Sequence, residues 1–149
     1  MLHGEVSDGN AYALGGVAGH AGLFATAPQL HAVVSQLLFP EAGGSLGLNA
    51  TTVRTFTTVH NASRSSRALG WDTQSGAHSL GLCGALSEAT FTHTGYTGTQ
   101  ICADPTRGLL TILLTNRVYP RADDRSEAAI HSARIAFNDA VVRAKSTRE

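Results

Sequence analysis

Lysine is nearly missing from this sequence: Lys145 is the only one, the arginines are scattered, and 11 basic residues balance 11 acidic ones over 149 positions. A chain with no net field has no long-range pull toward nucleic acid or anionic lipid, and neither is expected as a partner. Long apolar runs are missing as well. The longest of note, Leu109-Leu110-Thr111-Ile112-Leu113-Leu114, falls far short of the roughly 20 residues that a bilayer-spanning helix needs, so it reads as a buried strand. Residues Met1 to Glu5 carry neither the basic cluster nor the apolar stretch of a secretory signal. Cysteine is down to two, Cys83 and Cys102, without CxxC spacing. They read as half-buried thiols in preference to a disulfide or a metal pair. The histidines form no HxH or HExxH pattern, and the glycines from Gly15 to Gly22 follow neither the GxGxxG order nor a GKS/GKT ending. No metal, nucleotide or other cofactor is therefore expected.

What the sequence does contain fits one domain with a core of ordinary size. Glycines 15, 16, 19 and 22 crowd an N-terminal loop that needs tight turns or close backbone approach. Thr26 then offers an N-cap with Gln29 three residues on, a capping-box pattern. Leu30, Val33, Val34, Leu37 and Leu38 follow at helical spacing. Phe39-Pro40 and Gly43-Gly44 end that helix, and a shorter one starts at Asn49 and should bury Val53 and Phe56. From Arg67 the character changes. Strands are expected at 68–72, 89–94, 99–103 and 109–115, the last two joined by the turn Asp104-Pro105-Thr106-Arg107-Gly108 and antiparallel. Leu109 to Leu114 shows little polar alternation, as in a strand covered on both faces. After the charged loop from Arg121 to Arg125 comes a C-terminal helix with Ile130, Ala133, Phe137 and Val141 on its packing face.

Four segments, in order, resemble the serine β-lactamase and penicillin-binding-protein superfamily. Gly19-His20-Ala21-Gly22-Leu23-Phe24-Ala25-Thr26-Ala27-Pro28-Gln29-Leu30 is similar to its Ala-Gly-Gly-Leu entry into a helix, with Gln29 where Asp is frequent. Ala68-Leu69-Gly70-Trp71 is similar to the Leu-Gly-Trp strand. His93-Thr94-Gly95 looks like the His form of the Lys/His-x-Gly motif, and the Asp104-Pro105 turn with its last strand and helix matches the close of the fold. The resemblance implies an α+β domain, an antiparallel sheet flanked by helices. It covers nearly all of this chain but about half of the superfamily's domain. Residues 1–66 supply the glycine-rich loop and helices, and residues 67–149 the strands and last helix.

The superfamily's nucleophile lies in a Ser-x-x-Lys helix, and Val142 stands three residues before the only lysine here. Tyr12, Tyr96 and Tyr119 are followed two residues on by Leu14, Gly98 and Arg121, so the Tyr-x-Asn triplet is missing too. The expectation is a C-terminal part of a serine hydrolase that cleaves an amide, ester or β-lactam, not competent alone, whose partner is the missing N-terminal portion. A non-catalytic interaction module derived from the same fold is the alternative. By the superfamily's pattern the Tyr96 backbone N–H would serve the oxyanion hole, and His93 would donate to a serine hydroxyl, a leaving group or a substrate carboxylate. Thr94 and Gly95 would border the substrate, Thr94 with its side chain turned away. Gly95 would let a small-molecule or peptide substrate lie on the strand edge, so that Gly95→Val should clash with substrate more than it disturbs the sheet. His20 would approach from the opposite side.

Overall fold

The computed structural model describes residues 3–120 and 123–147. The expected N-terminal glycine-rich loop contains one short helix, α1 (Gly9–Ala13), whose N-cap Asp8 accepts a hydrogen bond from the Ala11 N–H at 2.8 Å. Gly22 has φ +103°, and a Cβ there would stand 2.8 Å from the Gly16 carbonyl oxygen, so the loop closes on itself only with glycine at that position. Helix α2 (Ala27–Leu38) starts at the capping box read from Thr26 and Gln29, with both reciprocal bonds formed. A 3-10 turn (Pro40–Ala42) and α3 (Ala50–Thr57) follow, the latter capped by the Asn49 side chain on the Thr52 N–H.

Four strands form one antiparallel sheet in the order β1-β2-β3-β4: β1 (Asp72–Thr73), β2 (Phe91–Thr94), β3 (Gln100–Asp104) and β4 (Leu109–Leu113). Registers Phe91↔Ala103↔Leu110 and Thr92↔Cys102↔Thr111 assign alternate residues to opposite faces. On one face Phe91 and Ala103 pack with Val34 and Leu38 of α2, joined by Trp71 edge-on to Phe91 at 5.0 Å. Each large apolar side chain sealed there contributes about 1.5–3 kcal/mol. On the other face lies α4 (Asp124–Ser146), capped by the Asp123 side chain on the Ser126 N–H.

Several expectations need correction. Cys83 and Cys102 are not thiols: they form a disulfide with Cα atoms 6.1 Å apart and both residues wholly buried. CxxC spacing was no guide, because one partner lies in the 74–90 loop and the other in β3, which the fold brings together. Val33 and Phe56 are exposed, so α2 buries a narrower stripe than its spacing suggests and α3 buries Val53 alone. Strand 68–72 shrinks to Asp72–Thr73 with one bridge from Arg67 to Asp72. Strand β4 has α2 on one face, through Leu110, and α4 on the other, through Leu109 and Thr111, but the cover is partial. It is the outer strand among the described residues, half-buried along its length except for Thr111. Among the described residues of α4 the buried ones are Ile130, Arg134 and Asn138, with Ala133 exposed and Phe137 half-buried. That stripe is polar because the sheet face opposite presents Gln100 and Thr111. Met1, Leu2 and Arg121 lie outside the described residues.

Candidate functional site

Strand β2 outruns its neighbour. β1 pairs only with Phe91 and Thr92, which leaves His93 and Thr94 on an unpaired edge. A cavity of about 190 Å³ opens there, bordered by Arg67, Asp72, Gln74, the segment Ser79 to Leu82, and Thr92, His93 and Thr94. His93 shares the Phe91 face but lies beyond the apolar cluster, exposed, with its ring 6.3 Å from Trp71 and edge-on to it. Among the described residues its imidazole has no hydrogen-bond partner. Thr94 borders the same cavity despite strand alternation, because the cavity wraps the open edge of β2 and meets both faces.

One wall of the cavity is tied to the sheet from behind. Gln74 donates to the Gly84 and Leu86 carbonyls at 3.0 and 2.9 Å and accepts from the Cys83 N–H at 3.0 Å. Gln100 donates to the Leu82 carbonyl at 3.0 Å, and the disulfide fixes Cys83 to β3. The far end of the loop is held by Asp104, which is fully buried and accepts from the Ser87 N–H and hydroxyl at 2.8 and 2.6 Å and from the Thr106 and Arg107 N–H groups. Burial alone would raise its pKa. The Ser87, Arg107 and Thr106 donors outweigh burial and hold the carboxyl below the usual carboxylate value.

The turn from β2 to β3 carries the rest of the motif. The Gly98 N–H donates to the Gly95 carbonyl at 3.0 Å and the Gly95 N–H to the Thr99 carbonyl at 2.9 Å. Arg134, buried on α4, donates through Nη2 to both the Gly95 and Thr99 carbonyls at 3.0 Å. Arg117 donates from Nε to the Tyr96 carbonyl at 2.7 Å, and its guanidinium stands 4.6 Å from the centre of the Tyr96 ring. Burial, then the nearby Arg117 charge, lowers the Arg134 pKa from the ordinary guanidinium value. Among the described residues the Tyr96 N–H has no hydrogen-bond partner. A Cβ on Gly95 would run into the Thr99 hydroxyl. Gly95→Val therefore meets the turn as well, through the Thr99 side chain, beside the expected clash with substrate.

His20 is placed apart from that cavity. Its Nε2 lies 3.0 Å from Asp8 Oδ1, and it is not among the lining residues. The Ala11 N–H, then His20, lower the Asp8 pKa. So the structure groups His93 and Thr94 around one cavity, sets Gly95 and Tyr96 at its adjoining turn, and leaves His20 on the glycine-rich loop. Arg134 and Arg117 escaped the sequence reading. The signal for Arg134 was its place between Ile130 and Asn138 at intervals of four.

Among the described residues no helix is long and apolar enough to cross a membrane. The Beta-lactamase family model matches residues 2–134 of the chain. A putative D-alanyl-D-alanine carboxypeptidase of Escherichia coli (strain K12) is 36% identical over 126 residues, which span 82% of this chain and 29% of that protein. A putative D-alanyl-D-alanine carboxypeptidase of Salmonella enteritidis PT4 (strain P125109) is 38% identical over 122 residues, 79% of this chain and 28% of that one. An N-acetylmuramyl-L-alanine amidase of Bacillus subtilis (strain 168) is 33% identical over 128 residues, 85% of this chain and 29% of the relative. The chain thus spans less than a third of the length of these curated relatives. No solved structure matches it significantly.

Proposed function

The chain belongs to the beta-lactamase family, and from that membership we propose that residues 1–149 form the C-terminal portion of a serine hydrolase domain acting through an acyl-enzyme. The observation that carries this reading is the pair formed by the exposed His93 imidazole on an unpaired strand edge and the Tyr96 N–H left without a partner among the described residues. Acyl transfer requires a nucleophile, a base and donors aimed at the developing oxyanion. Tyr96 supplies one such donor. The second is the N–H of the nucleophile, which comes with its Ser-x-x-Lys helix from the N-terminal portion. His93 donates to the serine hydroxyl, the leaving group or a substrate carboxylate. Thr94 and Gly95 border the substrate, and His20, with Nε2 held by Asp8, adds a contact from the glycine-rich loop. The relatives' names speak of alanine-containing amides, and an amide of that class is the proposed substrate ahead of an ester or a β-lactam.

Two surfaces support the need for further polypeptide. β4 is an outer strand of apolar sequence with no lysine, proline or bulge to blunt its edge, the type of strand that pairs with another chain. Val17, Leu23 and Phe24 are 86%, 83% and 65% exposed, an apolar surface that a second portion would cover.

A fluorescent penicillin and a serine-directed phosphonate test the reading. The 149-residue chain alone should stay unlabelled, and the same chain joined to a portion carrying Ser-x-x-Lys should be labelled. Labelling of the chain alone would mean another nucleophile exists. The sequence's want of a Ser-x-x-Lys motif favours the second reading, a non-catalytic interaction module, and silence of the joined protein toward both probes would establish it.

A further inference from the structure

We infer that Arg134 is the positioning residue of the oxyanion site: its guanidinium, buried behind the 95–98 turn, fixes and polarises the Gly95–Tyr96 peptide so that the Tyr96 N–H faces away from α4 with its donor capacity free. The inference rests on the acyl-enzyme reading and adds the part of the molecule that aims the donor.

The geometry follows from the peptide itself. Gly95–Tyr96 is a trans peptide, cis geometry being confined to Tyr119–Pro120 among the described residues. In a planar trans unit the C=O and the N–H point in opposite directions. The Gly95 carbonyl accepts from Arg134 Nη2 at 3.0 Å and from the Gly98 N–H at 3.0 Å. Holding that oxygen toward α4 turns the Tyr96 N–H outward. The Thr99 carbonyl takes the same guanidinium nitrogen at 3.0 Å, which pins the other end of the turn. Arg117 fixes the following unit by donating to the Tyr96 carbonyl. A cation on a carbonyl also draws electron density along the amide, and a hydrogen bond to an ionised donor is roughly twice as strong as a neutral one. The Tyr96 N–H thereby becomes a better donor to negative charge. Arg134 itself touches no substrate.

The cation is also out of place as a purely structural choice. Arg134 is 4% exposed, and its Nε has no hydrogen-bond partner. An apolar side chain of similar length would fill the same space without that desolvation, and such replacements of buried charge are often neutral or stabilising.

Two variants and two readouts test this. In the enzyme carrying both portions, Arg134→Met should lower kcat for p-nitrophenyl acetate on the order of 10²-fold, the scale of losing one oxyanion donor, with KM little changed. Arg134→Lys, which keeps a cation near the carbonyls, should recover part of that loss, as should added guanidinium with the Met variant. In the 149-residue chain alone, NMR should show the Gly95 carbonyl and Tyr96 amide resonances displaced by Arg134→Met more than those of β3. A parent enzyme that labels and turns over while Arg134→Met keeps its kcat overturns the inference. So does an unmoved Gly95–Tyr96 unit, a readout that needs no activity. If Arg134→Met fails to fold, the Lys variant decides: a partly lowered kcat with displaced Gly95 and Tyr96 shifts supports it, and parental kcat or unmoved shifts sink it. A parent that never reacts defeats the acyl-enzyme reading instead, and the NMR arm still judges Arg134.

Discussion

On the α2 side of the sheet, Phe91, Ala103, Val34 and Leu38 exclude water with apolar surface, whereas on the α4 side Gln100, Thr111, Arg134 and Asn138 are sealed in among Ile130, Leu86 and the disulfide. Apolar contact is non-directional and tolerates small rotations of one element on another. Hydrogen bonds are not so tolerant. Asn138 donates to Gln100 Oε1 at 3.1 Å and to the Arg134 carbonyl at 2.9 Å, and accepts from the Thr111 hydroxyl at 2.6 Å. Those bonds set the rotation and register of α4 against β3 and β4, and with them the place of Arg134 under the turn. The α2 side supplies bulk stability; the α4 side supplies geometry.

The largest expected effect would break that division on the apolar side. Phe91→Ala, at a residue 1% exposed, should cost about 3–5 kcal/mol in urea unfolding. A loss under about 1 kcal/mol would mean the α2 cluster is not the main apolar store. The next sharpens the polar side. Asn138→Leu keeps the volume and removes the bonds, so simple burial would make it neutral. The expected loss is about 1–3 kcal/mol, because the Thr111 hydroxyl and Gln100 carbonyl are left buried without that partner. A more stable Leu variant would reduce the α4 side to ordinary packing.

The smallest effect separates the two sides by pH. The folded pKa of Asp104 is depressed, so its contribution is complete above the unfolded value of about 3.9 and is lost as pH falls through the lower folded value. Asp104→Asn should cost about 1 kcal/mol at neutral pH. The gap to the parent should narrow below pH of about 4, as urea midpoints across an acid series would report. A gap that stays constant through acid would remove the ionised carboxylate from the account.

The same division governs what could be read from residues alone. The capping box at Thr26 and Gln29, the Asn49 cap, the antiparallel turn after Asp104 and the position of β2 were legible because each depends on neighbours in the chain. So was the apolar stripe of α2, apart from Val33. The face of α4 was misread because periodicity was followed through apolar residues, placing Ala133 and Phe137 inward. The true stripe steps through Ile130, Arg134 and Asn138, two of them polar. Cys83 with Cys102 went unseen for a related reason. Their pairing is decided by the path of the 74–90 loop back to β3, which no local spacing encodes. The motif around His93 was legible as residue types and its edge position through the resemblance, but the extent of the open edge was not, since that depends on β1 stopping after two residues.

The bond between Cys83 and Cys102 makes the cavity wall conditional on its surroundings. Glutathione and thioredoxin keep thiols reduced in the cytosol. There the segment from Ser79 to Leu82 would rest on hydrogen bonds, from the Ser79 hydroxyl to the Thr73 carbonyl and from Gln100 and Asn138 to the Leu82 carbonyl. The shape described beside His93 is that of the oxidised chain, and the electron balance of its environment enters the architecture as a further structural variable.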